Sequence, residues 1–358
     1  MTPTADLMAA RMWNERLAGS TLRRPEDVVA WLGAVQSQDY AGARWALAQR
    51  LGGAMTDDII EKAFDDGRIL RTHVLRATWH FLAPADIRWI LKLSAPRVHQ
   101  QNAFSYRISG LGPAQLTRGA SIIVKALEGR RHLTRQELAT RLGKARLPVL
   151  GLPLACVVMY AELEGLICSG PRRGKQFTYA LVDERVPAFT SIEGDEALAE
   201  LTRRYFTSHG PATLRDFNWW SGLTMAQARK GIAALGRKLQ QREIAGKVCY
   251  FAPGSDEARG AVPRVLLLPN YDEYLIAFKD RDWWPARAAR AMATPALPHH
   301  LVIDGRVEGG WTRMVGSKTV VVEVAPYGKL SKADTAGIHA AAARYSAFLK
   351  RPVSVSIR

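Results

Sequence analysis

Cysteine is scarce in this chain: three in 358 residues, Cys156, Cys168 and Cys249, with no ligand-like spacing and no histidine pairing. That excludes a disulfide scaffold and a thiolate metal site, and it suits small buried hydrophobes in a reducing compartment. Long apolar runs are also missing. Runs such as Val320–Val322 and Val265–Leu268 have the length of strands and fall far short of a membrane span. The start, Met1-Thr2-Pro3-Thr4-Ala5-Asp6, lacks the basic-then-apolar order of a secretion signal. These absences predict a soluble, cytoplasmic, nucleoid-associated protein with no membrane partner. There is no Walker loop, no HExxH and no GxSxG, and Asp304-Gly305 is a hairpin-turn signal rather than a dinucleotide loop. His73 and His80 have no third ligand in the pattern, so no metal is expected.

Acidic residues are in deficit as well. Against 50 Lys and Arg stand 33 Asp and Glu, a formal charge of +17, and a field of that sign draws polyanions. The excess is clustered. Arg118, Lys125, Arg130, Arg131, Arg135, Arg141, Lys144 and Arg146 face only Glu128 and Glu137 over one stretch, and Arg172-Arg173-Gly174-Lys175 follows. No amphipathic basic helix with a bulky apolar face accompanies them, which favours nucleic acid over a membrane surface. The candidate contacts to phosphate or base are His73, Arg76, His80, Arg118, Arg130, Arg131, Lys144, Arg172, Arg173 and Lys175. For His80, beside Trp79 and Phe81, a satisfied buried ring is the competing reading.

One supersecondary unit recurs. In 117–183 the periodicity predicts a helix over Ile122–Leu127 and a second from Leu133, where Thr134 and Glu137 have capping-box spacing. A third helix is predicted over Leu154–Glu164, then strands over Leu166–Ser169 and Phe177–Leu181 around a basic turn. Three helices and a hairpin with a basic tip describe a winged helix, one helix entering the major groove and the wing meeting the backbone. A second copy spans 195–252 and aligns at its second helix, Ala212-Thr213-Leu214-Arg215-Asp216-Phe217. A weaker copy opens the chain, with Pro25 in the first turn of Leu22–Leu32. The last hundred residues are strand-rich over Arg264–Phe278, Leu301–Ile303, Glu308–Met314 and Thr319–Val324, with one helix over Lys332–Phe348 and a last strand over Val353–Ile357. The expected fold class is therefore α+β: three tandem winged-helix units over 1–115, 116–190 and 191–258, then a β-rich domain over 259–358.

One short segment can carry chemistry. In Ala34-Val35-Gln36-Ser37-Gln38-Asp39-Tyr40, an extended stretch points Gln36 and Gln38 to one side, where two amides can fix a water; Ser37 and Asp39 face the other side. Helix capping or plain solvation is the alternative.

Five segments in order carry a family resemblance: Val35–Tyr40, Thr72–Phe81 (Thr-His-Val-Leu-Arg-Ala-Thr-Trp-His-Phe), Phe217–Leu223 (Phe-Asn-Trp-Trp-Ser-Gly-Leu), Leu268–Leu275 (Leu-Pro-Asn-Tyr-Asp-Glu-Tyr-Leu) and Asp304–Trp311. Over nearly its whole length the chain resembles the AlkZ/YcaQ family of bacterial DNA glycosylases, which unhook interstrand crosslinks and remove N7-alkylated purines. The resemblance implies three tandem winged helices and a C-terminal β-barrel-like domain gripping duplex DNA in a basic channel. It also implies that two glutamines around one residue are the catalytic motif, here Gln36 and Gln38. Two positions depart from the family pattern: Ser37 replaces an aliphatic residue, and Ala77 stands where Pro is usual.

The chemistry suits the residues. N7-alkylguanine is cationic and its glycosidic bond already weakened, so what remains is to place a water at C1′ and stabilise an oxocarbenium-like state. Gln38 takes the water, Gln36 supports it, and Asp39 ranks third as electrostatic stabiliser or base. No lysine adjoins the pair in sequence, which predicts a monofunctional enzyme without a Schiff base or cofactor. It would act as a monomer on double-stranded DNA carrying N7-alkylguanine or N3-alkyladenine, bulky adducts and crosslinks included. The rival is a non-catalytic winged-helix DNA-binding protein, either regulator or lesion binder.

Overall fold

The computed structural model describes residues 3–53, 55–148, 150–255, 257–280 and 299–358. Its first three-quarters repeat one order of elements three times: helix, two-residue strand, helix, helix, hairpin. In the first copy these are Pro25–Leu32, β1 (Val35–Gln36), Tyr40–Gln49, Asp57–Asp65, and the hairpin of β2 (Leu70–Val74) and β3 (Thr78–Leu82). The second has Pro113–Leu127, β4 (Leu133–Thr134), Arg135–Lys144, Leu152–Leu163, β5 (Ile167–Ser169) and β6 (Thr178–Leu181). The third has Gly194–Ser208, β7 (Ala212–Thr213), Leu214–Ser221, Met225–Leu235, β8 (Gln240–Ile244) and β9 (Lys247–Phe251). In every copy the short strand pairs with the second hairpin strand, giving the orders β1-β3-β2, β4-β6-β5 and β7-β9-β8.

Local chemistry explains the repeat. Both halves of the capping box form at Thr134: its hydroxyl accepts the Glu137 N–H at 3.3 Å, and the Glu137 carboxylate accepts the Thr134 N–H at 2.7 Å. Thr213 and Asp216 repeat the device at the equivalent helix. Each box ends a two-residue strand and starts a helix within three residues. The boundary expected at 115/116 falls inside the helix Pro113–Leu127.

The C-terminal region departs from expectation twice. Arg264–Phe278 is a strand only over β10 (Val265–Leu268); the chain then turns, and Asp272 caps the one-turn helix Glu273–Ile276 by accepting the Tyr274 N–H. The sheet, moreover, is open. β10 is followed by β11 (His299–Ile303), β12 (Arg306–Val315), β13 (Val320–Pro326) and β14 (Val353–Ile357), in that spatial order, with β13 and β14 parallel and no closing pair among the described residues. Closure is unnecessary because other elements cover the sheet. The helix Lys332–Leu349 buries Ile338, Ala341, Ala342, Tyr345 and Phe348 in one core with Val322, Trp311 and Leu267, and the same core takes Leu32, Trp45, Phe64 and Phe81 from the first copy. Phe278 likewise shares a core with Tyr205, Phe217 and Trp220 of the third copy. A core built mainly within one copy surrounds Ile123, Leu138 and Val157 of the second.

The segment 265–278 is thus a strap between copies, and its carbonyls need partners. Trp45 Nε1 donates to Leu267 O (2.7 Å), Trp311 Nε1 to Leu268 O (2.9 Å), Trp219 Nε1 to Ile276 O (3.0 Å) and Tyr205 Oη to Ala277 O (2.9 Å). Among the described residues no helix is long and apolar enough to cross a membrane.

Candidate active site

Gln36 closes the edge strand β1. It lies opposite His80 in a non-hydrogen-bonded pair, since the next residue, Ser37, donates its N–H to Trp79 O at 2.7 Å. The Gln36 N–H therefore points away from the sheet, and burial would leave it orphaned. Glu273 Oε1 accepts it at 2.7 Å. The side chain is held separately: Arg76 Nη2 donates to Gln36 Oε1 at 3.3 Å.

Arg76 occupies the turn between β2 and β3, where Leu75 and Ala77 both take positive φ, 59° and 60°. That turn rests on the end of the helix Leu214–Ser221. Gly222, at φ 69°, forms its left-handed cap, and a Cβ there would come within 2.6 Å of Leu75 O. The close approach places the Arg76 guanidinium 5.0 Å from the Trp219 ring centre, with Lys279 Nζ also over Trp219 at 4.2 Å.

Glu273 is itself buried and shared. Its Oε2 accepts Trp220 Nε1 at 2.9 Å, and His209 Nε2 stands 3.7 Å away, within ion-pair reach but beyond a hydrogen bond. Burial pushes the Glu273 carboxyl up, yet His209, His80 and the Gln36 N–H outweigh that and hold it below its ordinary value. Burial depresses both imidazoles, His80 to about 4 and His209 in the same direction, so each is neutral near pH 7. His80 Nδ1 pairs with Thr78 O at 2.9 Å, while its Nε2 is buried without a hydrogen-bond partner among the described residues. Gln36, His80 and Thr72 lie opposite one another and share one face of the sheet.

Past Gln36 the strand ends and the chain bends at Gln38 and Asp39. Gln38 is exposed. Asp39 instead caps the helix Tyr40–Gln49, accepting the Gly42 N–H at 3.0 Å, and faces Arg313 Nη2 at 3.3 Å. Ser37 is fully buried and its hydroxyl has no partner among the described residues. Its carbonyl accepts Arg71 Nε and Nη2, both at 3.2 Å. Arg71 lies over Trp79 (4.4 Å) and Phe177 (4.6 Å), and burial lowers its guanidinium to about 10.

The residues expected to touch DNA separate into two sets. His80 and His73 are both buried, and His73 hydrogen-bonds Glu162 through Nδ1 and lies against Trp79 with the rings tilted and their centres 4.2 Å apart. Arg172 is committed inward: it pairs with Glu61 at 3.0 Å and lies over Tyr40 and Phe177, docking the second hairpin on the first copy. Arg118, Arg130, Arg131, Lys144, Arg173 and Lys175 are exposed on the second copy. Arg173 is tied to Glu137 at 2.8 Å and Arg118 to Ala145 O at 3.0 Å, while the Gly129 and Arg130 backbone N–H groups donate to Glu184. Among the described residues no group of three His, Cys, Asp or Glu is placed to hold a metal ion.

Comparison with known proteins bears on this geometry. A family model described as DNA glycosylase AlkZ-like matches residues 29–348. The chain belongs to the AlkZ-like family of DNA glycosylases. These are hydrolases of N-glycosyl bonds. An interstrand DNA cross-link repair glycosylase from Streptomyces sahachiroi is 27% identical over 322 residues, covering 85% of this chain and 86% of that protein. The solved structure of the S. sahachiroi DNA glycosylase AlkZ superposes with a TM-score of 0.81 at 24% identity, over 98% of each chain, which shows a shared fold.

In this AlkZ-like chain the sequence reading missed Glu273 and Lys279. Glu273 sits in the quoted Leu268–Leu275 segment, where two adjacent acids inside an apolar run were the available signal. Lys279 gave none, since it meets Arg76 only through Trp219 of another copy.

Proposed function

We propose that this chain is a monofunctional DNA glycosylase that hydrolyses the N-glycosidic bond of N7-alkylguanine and N3-alkyladenine, crosslinked and bulky adducts included, with water placed by Gln36 and Gln38. One observation carries the reading: Gln36 is fixed at its backbone by Glu273 and at its side chain by Arg76, next to an exposed Gln38. Preorganised amides beside a solvent-reaching one suit a reaction whose leaving base is already cationic and needs little protonation. Gln38 holds the water, Gln36 supports it at the sugar, and Asp39 supplies negative potential while tied to Arg313.

The three repeats act as winged-helix units, with the first boundary at the start of the helix Pro113–Leu127 and the next after residue 190, ahead of the C-terminal domain 259–358. The protein works as a monomer on duplex DNA. Arg118, Arg130, Arg131, Lys144, Arg173 and Lys175 contact phosphates, with Arg76 nearer the lesion and His73 behind it, paired with Glu162. The name of the S. sahachiroi cross-link repair glycosylase supports the crosslink substrate.

The test is single-turnover excision from a duplex with one N7-methylguanine, read by alkali cleavage at abasic sites, for wild type, Gln36→Ala and Gln38→Ala. Each variant is expected to lose on the order of 100-fold in rate with DNA binding retained, and borohydride should trap no covalent adduct. Wild-type rates in both variants would sink the glutamine mechanism. A trapped adduct lost in Lys279→Ala would sink the monofunctional one.

A further inference from the structure

We infer that Glu273 is a positioning residue of the glycosylase reaction, holding the catalytic strand in place through the backbone of Gln36; the inference rests on the glutamine reading above. The geometry is specific. An edge strand of two residues has few bonds of its own, and its outward N–H would be free to shift with the loop that follows. Glu273 removes that freedom with a 2.7 Å charge-assisted bond to Gln36 N–H. The carboxylate is fixed in turn by Trp220 Nε1 at 2.9 Å. Its own backbone is fixed by the Asp272 cap and the paired Arg50, so the anchor is rigid at both ends. One carboxylate thereby joins the first copy, the third copy and the C-terminal strap at the residue that carries the first glutamine. Glu273 touches backbone and indole rather than reacting atoms, so it acts through Gln36. An anchor of this kind matters because displacing a reacting group by about 1 Å can cost 100-fold in rate.

The experiment is a double-mutant cycle on single-turnover excision of N7-methylguanine with enzyme in excess, where the rate constant does not depend on the fraction of protein folded. Glu273→Gln keeps shape and size but can no longer accept from both donors. It is expected to slow excision about 10- to 100-fold with the DNA dissociation constant unchanged, and to add less than about twofold to the loss already caused by Gln36→Ala. Glu273→Asp, which keeps the charge and falls short of the Gln36 N–H, should behave alike and serves if the Gln variant does not fold. A wild-type rate in both Glu273 variants overturns the inference, and so do losses that multiply with Gln36→Ala. The outcomes separate the two readings: a slow Gln36→Ala beside a normal Glu273→Gln sinks this inference alone. A normal Gln36→Ala beside a slow Glu273→Gln removes Gln36 from the glutamine reading, and positioning through Gln36 with it.

Discussion

The Arg50 guanidinium and the Asp272 carboxylate meet in a two-pronged ion pair, 2.8 and 2.6 Å long, with both side chains excluded from solvent. Arg50 also donates to Glu15 Oε2 at 2.9 Å, and Asp272 starts the turn of helix bearing Glu273. The pair thus links the helix Tyr40–Gln49, at its C-cap, to the strap that anchors Gln36.

Breaking that pair leaves two carboxylates buried without a cation. Arg50→Met is expected to lower unfolding free energy by about 3–5 kcal/mol, measured by urea denaturation at pH 7. A loss below about 1 kcal/mol, the range of an exposed pair, would contradict the buried network.

His80 makes stability fall with acid. Its imidazole is held neutral, with a pKa near 4 folded against an ordinary 6.5, because burial disfavours the cation. Between those values the unfolded chain binds a proton that the folded chain refuses, so stability declines as pH drops from 6.5 towards 4. His299 behaves alike, lowered to about 4 by burial and by Arg313. Urea midpoints across this window should fall for wild type and fall less steeply for His80→Asn; equal slopes would show His80 to be protonated or exposed when folded.

Ala77 adopts φ 60°, which proline cannot reach. Although the family pattern favours Pro here, Ala77→Pro should cost more than about 1 kcal/mol, while Ala77→Gly should be neutral or stabilising by up to about 1 kcal/mol as left-handed strain is relieved. Thermal melts of both variants decide it, and a stable Pro variant would mean that the turn takes another conformation.

The Ser37 hydroxyl is buried with no partner among the described residues, an arrangement that usually costs about 1–3 kcal/mol. Ser37→Ala should therefore hold or raise the urea midpoint and leave the excision rate near wild type. A marked fall in either would show that the hydroxyl has a role beyond packing.

How legible was this protein beforehand? Elements whose cause is local were readable to within a few residues. The helix Lys332–Leu349 and the strand Val353–Ile357 stand where periodicity puts them, and the Thr134 capping box forms as its spacing requires. The stretch after Leu268 is apolar without being a strand: Tyr274, Leu275 and Ile276 are buried among Leu7, Met8 and Met12 near the N-terminus, Ile244 and Cys249 of the third hairpin, and Leu266 and Val302 of the C-terminal sheet, not by sheet pairing. Gln36 and Gln38 were singled out by alternation, yet alternation stops at Gln36, where the chain bends.

The sequence by itself determined the threefold repeat, the basic surface and the glutamine pair, since capping, periodicity and charge act over a few residues. Tertiary structure alone decided which side chains complete the site. Glu273 reaches Gln36 across 237 positions of chain, Trp219 lies beneath Arg76 from another copy, and Arg172 turns inward to Tyr40 instead of outward to DNA. The physical reason is burial: an edge N–H or a guanidinium removed from water must find its partner wherever the packing brings one, and no local pattern records where that is.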